Sequence, residues 1–281
     1  MAKFEPARDD EPMVIARAGE LMAPTTRRSF VRTLLAGGSV MLLPSVFTAC
    51  DNDDGGNPLG PGEIPDPVTG ISFDLRSDVG IFRFVHLNEQ LEAAFYTAVV
   101  ASGTYRRMNA DERELLRDLR DVEVVHREFV RTALGSQALP DIRGSIDLNR
   151  LENVLSSRES ILTLARAFEN NGVAALNGSG KYLTDPRNLL LAGKFASVEA
   201  RHAAALEDVL PPPGVNANTA FAGDHLVDGT GRDVKLEAGV ALQNALATGL
   251  LMPSTLANPP IAAAPTPAQG VPTADFFPAN P

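Results

Sequence analysis

The chain has 281 residues, a net charge of −10, one Cys and no Trp, and aromatics make up only 6% of it against a hydrophobic fraction of 44%. That length bounds one large or two small domains, and because the ends differ from the middle the foldable part reads as one domain, whose Ala and aliphatic content suits helix packing rather than a β-sandwich. No cluster of Lys or Arg follows residue 50, which excludes a nucleic-acid surface; the lone Cys excludes an intramolecular disulfide, a Cys-based zinc site and a rubredoxin-type iron centre.

Residues 25–50 read TTRRSFVRTLLAGGSVMLLPSVFTAC, a basic start, an uncharged apolar stretch from Thr33 to Ala49 and a terminal Cys, which is the layout of an export signal. Arg27 and Arg28, followed by Ser29-Phe30-Val31-Arg32, resemble the twin-arginine signal, whose route carries folded proteins across the membrane. Phe47-Thr48-Ala49-Cys50 resembles a lipobox, with Phe where Leu is usual. Residues 1–49 are therefore expected to be a signal peptide and Cys50 a lipidated N-terminus. The alternative is an uncleaved anchor, for which a 17-residue apolar stretch is at the short limit. Either way the following domain is expected outside the cytoplasm, periplasmic or extracytoplasmic, with the membrane as its partner through Cys50. Residues 50–76, rich in Asp, Gly and Pro, read as a disordered tether.

Four helices follow. Ser77 and Asp78 cap the first, which runs from Val79 to about Ala101 with Phe82, Val85, Ala93, Tyr96 and Val100 at three- and four-residue spacing. After a short loop at Gly103 to Met108, Asn109 caps a second helix whose stripe Leu116, Leu119, Val122, His126, Val130 ends at Gly135. A longer passage broken by Pro140 and Gly144 permits a crossover. Ser156 and Glu159, at capping-box spacing, open a third helix stopped at Gly178 and Gly180; Asp185 and Pro186 open the fourth, which runs to Pro211. Short loops and apolar stripes of this kind make an all-α antiparallel four-helix bundle with a long crossover between its second and third helices, over residues 77–213. Residues 214–281 read as an irregular Ala/Pro/Gly-rich extension with one short helix near Leu236 to Leu250 and an extended or disordered tail from Pro253.

Each helix carries a glutamate on its apolar stripe. In the second and fourth a histidine follows three residues later, as Glu123-Val-Val-His126 and Glu199-Ala-Arg-His202, so both side chains of each pair leave one face. Glu89 lies seven residues from both Phe82 and Tyr96, and Glu169 seven from both Leu162 and Leu176, which places both on buried stripes. Four ionised carboxylates in an apolar core repel one another and cost several kcal/mol each; two divalent cations remove that cost, and oxygen with imidazole nitrogen suits iron or manganese. The competing reading of any single Glu-x-x-His is a surface carboxylate beside a core-edge histidine, but two such pairs among four histidines favour a metal site. His86 and Glu92, one turn either side of Glu89, are candidates for extra ligands, but a solvated or capping role accounts for them equally well, so they are left outside the ligand set. His225 falls in a Gly/Asp loop and is expected to be exposed.

This set, in this chain order, resembles the ferritin-like carboxylate-bridged proteins, in which two helices give Glu and two give Glu-x-x-His. Within them it is most similar to exported bacterial ferritin-like domain proteins, on the segments NEQLEAAFY and VEARHAA. The resemblance implies that Glu123 and Glu199 bridge two ions, that Glu89 and Glu169 are terminal ligands, that His126 and His202 each bind one ion, and that Tyr96 is a hydrogen-bond partner behind them. It implies an oxidoreductase acting on O₂, peroxide or ferrous iron. Two other classes stay open: a non-catalytic helical envelope protein serving in stress or desiccation tolerance, and a metal scavenger without turnover. Whether the chain forms a homo-oligomer is left open too.

Overall fold

The computed structural model describes residues 57–223, 225–266 and 268–270. Residues 1–49, expected to be a signal peptide, and Cys50 lie outside them. By its contacts the chain divides into Met1–Gly62 and Glu63–Pro281. In the first unit the described residues form a turn in which the Leu59 N–H donates to Asn57 Oδ1 at 2.9 Å. All helices and strands described below belong to the second.

Local chemistry sets the helix ends. Helix α1 (Asp78–Ala101) begins where the Ser77 hydroxyl accepts from the Gly80 N–H, satisfying one of the orphan donors of the first turn. After one short helical turn, α2 (Gly103–Arg107), the Asn109 side chain accepts from Glu112 N–H and starts α3 (Ala110–Leu134). Gly135, at φ 54°, ends α3 and donates back to Arg131 and Thr132 carbonyls, a backbone conformation that a side chain disfavours. The crossover contains its own helix, α4 (Leu148–Leu155), capped by Asp147. Helix α5 (Arg158–Gly180) and helix α6 (Pro186–Val209, capped by Asp185 with Pro at its first turn) complete the bundle.

Helices α1 and α3 pack as one pair and α5 and α6 as the other, with α1 against α5 joining the pairs. The bundle is all-α, as the periodicity predicts. Its core includes Tyr96, Phe84, Phe95, Leu87, Leu116, Ile161 and Leu162, all essentially fully buried. Two side chains of α1 hold the crossover in place: Gln90 donates to Pro140 O and accepts from the Ile142 N–H, both at 3.1 Å, and His86 Nδ1 accepts from the Leu139 N–H at 3.2 Å. Among the described residues no helix is long and apolar enough to cross a membrane.

Several boundaries differ from those expected. The third helix of the bundle is capped by Ser157 rather than Ser156, because Ser156 is still helical at the end of α4 while Ser157 is extended and accepts from Ser160 N–H at 3.1 Å. Gly178 does not stop α5. It lies inside the helix, and the Leu236 carbonyl packs where a Cβ would sit. The tether reading of residues 50–76 does not hold at its end: Ile71–Asp74 is a strand, β1, with Phe73 fully buried and edge-to-face on Phe84 at 5.8 Å. Burying a Phe and an Ile stabilises by roughly 1.5–3 kcal/mol each, which offsets much of the cost of ordering a short segment.

The strand partner of β1 comes from the C-terminal extension. β2 (Leu256–Ala263) runs parallel to it, pairing Ile71 with Leu256 and Phe73 with Ile261; the register slips between them, where Pro259 and Pro260 have no N–H to donate. Helix α7 (Ala238–Ala247) packs on α5. Leu236 N–H donates to Ala174 O at 2.8 Å, and Asn171 Nδ2 donates to Ala241 O at 3.1 Å. Residues 236–263 therefore dress the bundle and brace α5.

Candidate metal centre

Four helices deliver six side chains to one place: Glu89 from α1, Glu123 and His126 from α3, Glu169 from α5, Glu199 and His202 from α6. Donor atoms of Glu89, Glu123, His126 and Glu199 lie within 4.8 Å of one another, and so do those of Glu123, Glu169, Glu199 and His202. The four carboxylates are at most 3% exposed as side chains and the two imidazoles 10% and 12%. Phe195 packs at a tilt against the His126 ring at 4.4 Å, and Phe129 packs on Phe195, closing that side with hydrocarbon.

His126 Nδ1 lies 3.3 Å from Glu89 Oε2, 3.2 Å from Glu123 Oε2 and 3.1 Å from Glu199 Oε1. His202 Nδ1 lies 3.0 Å from Glu123 Oε1, 3.1 Å from Glu169 Oε2 and 3.9 Å from Glu199 Oε2. A ring nitrogen carries at most one hydrogen and satisfies one acceptor well. Around each nitrogen three carboxylate oxygens converge, and Glu89 Oε2, Glu123 Oε1 and both oxygens of Glu199 have no hydrogen-bond partner. Orphaned buried carboxylate oxygens are costly, and one nitrogen with three oxygens is the donor set of a hard or borderline cation.

Crowding and burial shift the titration of these groups in opposite senses. Burial pushes the Glu89 carboxyl up to about 7 even though His126 pulls it down, and burial with the charges of Glu123 and Glu169 pushes Glu199 well up. For Glu123 burial acts upward but is outweighed by the His126 and His202 imidazoles that face it, leaving it at about 2. The imidazoles answer in kind. Burial lowers both, yet the surrounding carboxylates win, taking His202 up to about 10 and His126 well above its ordinary value. The cluster pulls in positive charge wherever it can find it.

Residues 77–211 match the family model described as ferritin-like domain. This segment is a ferritin-like domain. No curated protein and no solved structure matches the chain. The ferritin-like domain thus spans the bundle from the α1 cap to just past α6, and its buried acid-histidine cluster could hold a metal.

Each residue singled out in the sequence now has a place. Glu123 and Glu199 turn one oxygen toward each histidine, while Glu89 faces only His126 and Glu169 only His202. Tyr96, fully buried, donates to Glu169 Oε1 at 2.6 Å; burial and the neighbouring Glu169 raise its pKa well above the ordinary phenol value, keeping it a donor. His225 is exposed as expected, with Nε2 3.1 Å from the buried Glu207. His86 is neither solvated nor in the cluster: burial lowers its pKa to about 4, and its ring faces the crossover.

Glu92 departs from the expected solvated role. It is 3% exposed, which rules out a solvated role, and it shares with Glu89 and Glu199 a small cavity of about 10 Å³ also lined by Phe84, Gly172 and Leu176. Its spacing from Glu89, three residues on one helix, was the available signal.

Proposed function

We propose that this ferritin-like domain holds two divalent ions, iron or manganese, and works as an oxidoreductase on O₂, peroxide or ferrous iron outside the cytoplasm. The observation that carries the reading is the pair of one-nitrogen, three-oxygen constellations that share Glu123 and Glu199. Glu89 and His126 complete one position, Glu169 and His202 the other. An ion pair bound there supplies two-electron chemistry that a single ion supports less readily.

The remaining work falls to the chain. Tyr96 fixes the Glu169 carboxylate by donating to one oxygen, leaving the other for the His202 side; such outer partners orient ligands and tune their basicity. Phe195, Phe129 and the apolar wall of Phe84 and Leu176 keep bulk water from the carboxylates and lower the local dielectric, which strengthens every charge interaction inside. The site lacks thiolate ligands, in keeping with hard or borderline ions.

The extracytoplasmic placement rests on the twin-arginine and lipobox resemblances of residues 25–50. Folding before export would let the site fill inside the cell, before it meets copper and zinc, which bind such ligands more tightly. The test is turnover by protein loaded with iron or manganese. Consumption of hydrogen peroxide, or of O₂ with ferrous iron, that vanishes in Glu123→Ala supports an enzyme. A loaded and folded chain that turns over none of these supports the non-catalytic envelope role.

A further inference from the structure

The two halves of the bundle repeat one arrangement: Glu89 on α1 is answered by Glu169 on α5, and Glu123/His126 on α3 by Glu199/His202 on α6. The repeat breaks three residues after each of the lone glutamates. On α1 that position is Glu92; on α5 it is Gly172. A Cβ built at Gly172 would lie 3.4 Å from Glu92 Oε1 and 3.6 Å from Glu199 Oε2, so the glycine backs directly onto both carboxylates. Glycine inside a helix is unfavourable, and here it leaves room for an acid reaching over from the opposite helix.

Glu92 is 3% exposed, and among the described residues no hydrogen bond or ion pair is made to its carboxylate. It lines the same cavity of about 10 Å³ as Glu89 and Glu199, close to the smallest space that holds a water. Buried, and with Oε1 on the same glycine face as Glu199 Oε2, it is an acid whose charge a nearby cation would compensate.

We infer that Glu92 is a fifth carboxylate of the metal centre, reaching from α1 across the space left by Gly172 to the ion on the His202 side, so that the two ion positions are unequal. The side is set by Glu199 Oε2: it is the Glu199 oxygen that faces His202, and it is the one next to Gly172. The inference rests on the two-ion reading above and adds a ligand to it. It also adds a label, since the chemically distinct ions become addressable one at a time.

The experiment is an anaerobic titration of the full folded chain with Mn²⁺, resolving stepwise affinities by competition with a chelator, with circular dichroism as a check on folding. The parent chain is expected to bind two ions in unequal steps. Glu92→Gln, which keeps the side chain's size and so its packing, should leave one step unchanged and weaken the other by about tenfold or more, with an altered Mn²⁺ paramagnetic resonance spectrum. Parent-like affinities for both ions in Glu92→Gln overturn this inference alone and make Glu92 a buried neutral acid. No uptake by the parent chain overturns it together with the two-ion reading.

Discussion

At the scale of single residues, the Tyr96 hydroxyl and Glu169 Oε1 form a fully buried bond of 2.6 Å. Removing a donor from a buried carboxylate exposes the full desolvation cost of the acceptor, about 1–3 kcal/mol. Tyr96→Phe is therefore expected to lower the thermal midpoint and to weaken metal uptake by about 10- to 100-fold, as loss of a ligand's supporting partner does; unchanged affinity in a metal titration would show that Glu169 needs no support. The convergence of these six side chains was legible in the sequence because a charged residue on an otherwise apolar stripe has few explanations, and Glu123 with His126, like Glu199 with His202, supplied two of them per helix. Glu92 was harder to assign. Helix α1 is buried on nearly every side, from Gly80 to Val99, so no solvent face exists against which to judge which acids point inward.

Elements are tied together by polar contacts that periodicity does not encode. Asp78 opens α1 and also receives the Thr184 N–H at 2.8 Å, the Asp185 N–H at 3.0 Å and Asn188 Nδ2 at 2.8 Å, fastening the α5–α6 turn to the start of the bundle. Burial acts to raise its pKa, but these bonds outweigh it and lower the value. A carboxylate with a depressed folded pKa contributes stability above its unfolded pKa and loses it as pH falls through the folded one. The difference in unfolding free energy between the parent chain and Asp78→Asn, about 1 kcal/mol near neutrality for a partly solvated group, should thus shrink as pH drops below about 4; denaturant melts at several pH values check this. Gly178→Ala is the second test at this scale. A Cβ there would sit 1.6 Å from the Leu236 carbonyl oxygen, so either α5 shifts or residues around Leu236 lift away. The cost should be about 1–3 kcal/mol, exceeding the ~1 kcal/mol gain in helix propensity. A more stable Gly178→Ala variant would mean that the C-terminal segment is not docked there. The four bundle helices were readable from caps and stripes. The β1–β2 pair was not, because four residues near the start pair with a proline-bearing segment far along the chain, and no local pattern marks such a partner.

For the whole molecule, the fold and the site are one construction. Two helix pairs each bring a carboxylate and a Glu-x-x-His to the centre, the crossover pinned by His86 and Gln90 lets the second pair approach in the right sense, and α7 braces the helix that carries Glu169. A ligand that binds only the folded state stabilises it by mass action, about 2.7 kcal/mol at a hundredfold excess over its dissociation constant, so chelation should lower the thermal midpoint of loaded protein. Export belongs to this scale as well: replacing Arg27 and Arg28 by Lys should retain the chain in the cytoplasm, and Cys50→Ala should abolish incorporation of labelled fatty acid, both scored by fractionation. The central claim is that the buried acids meet because cations join them. Elemental analysis of protein exported by its own pathway tests it most directly. The account predicts about two iron or manganese ions per chain, lost in Glu123→Ala and Glu199→Ala. Fewer than about one ion per four chains, with the bundle still folded, would contradict it.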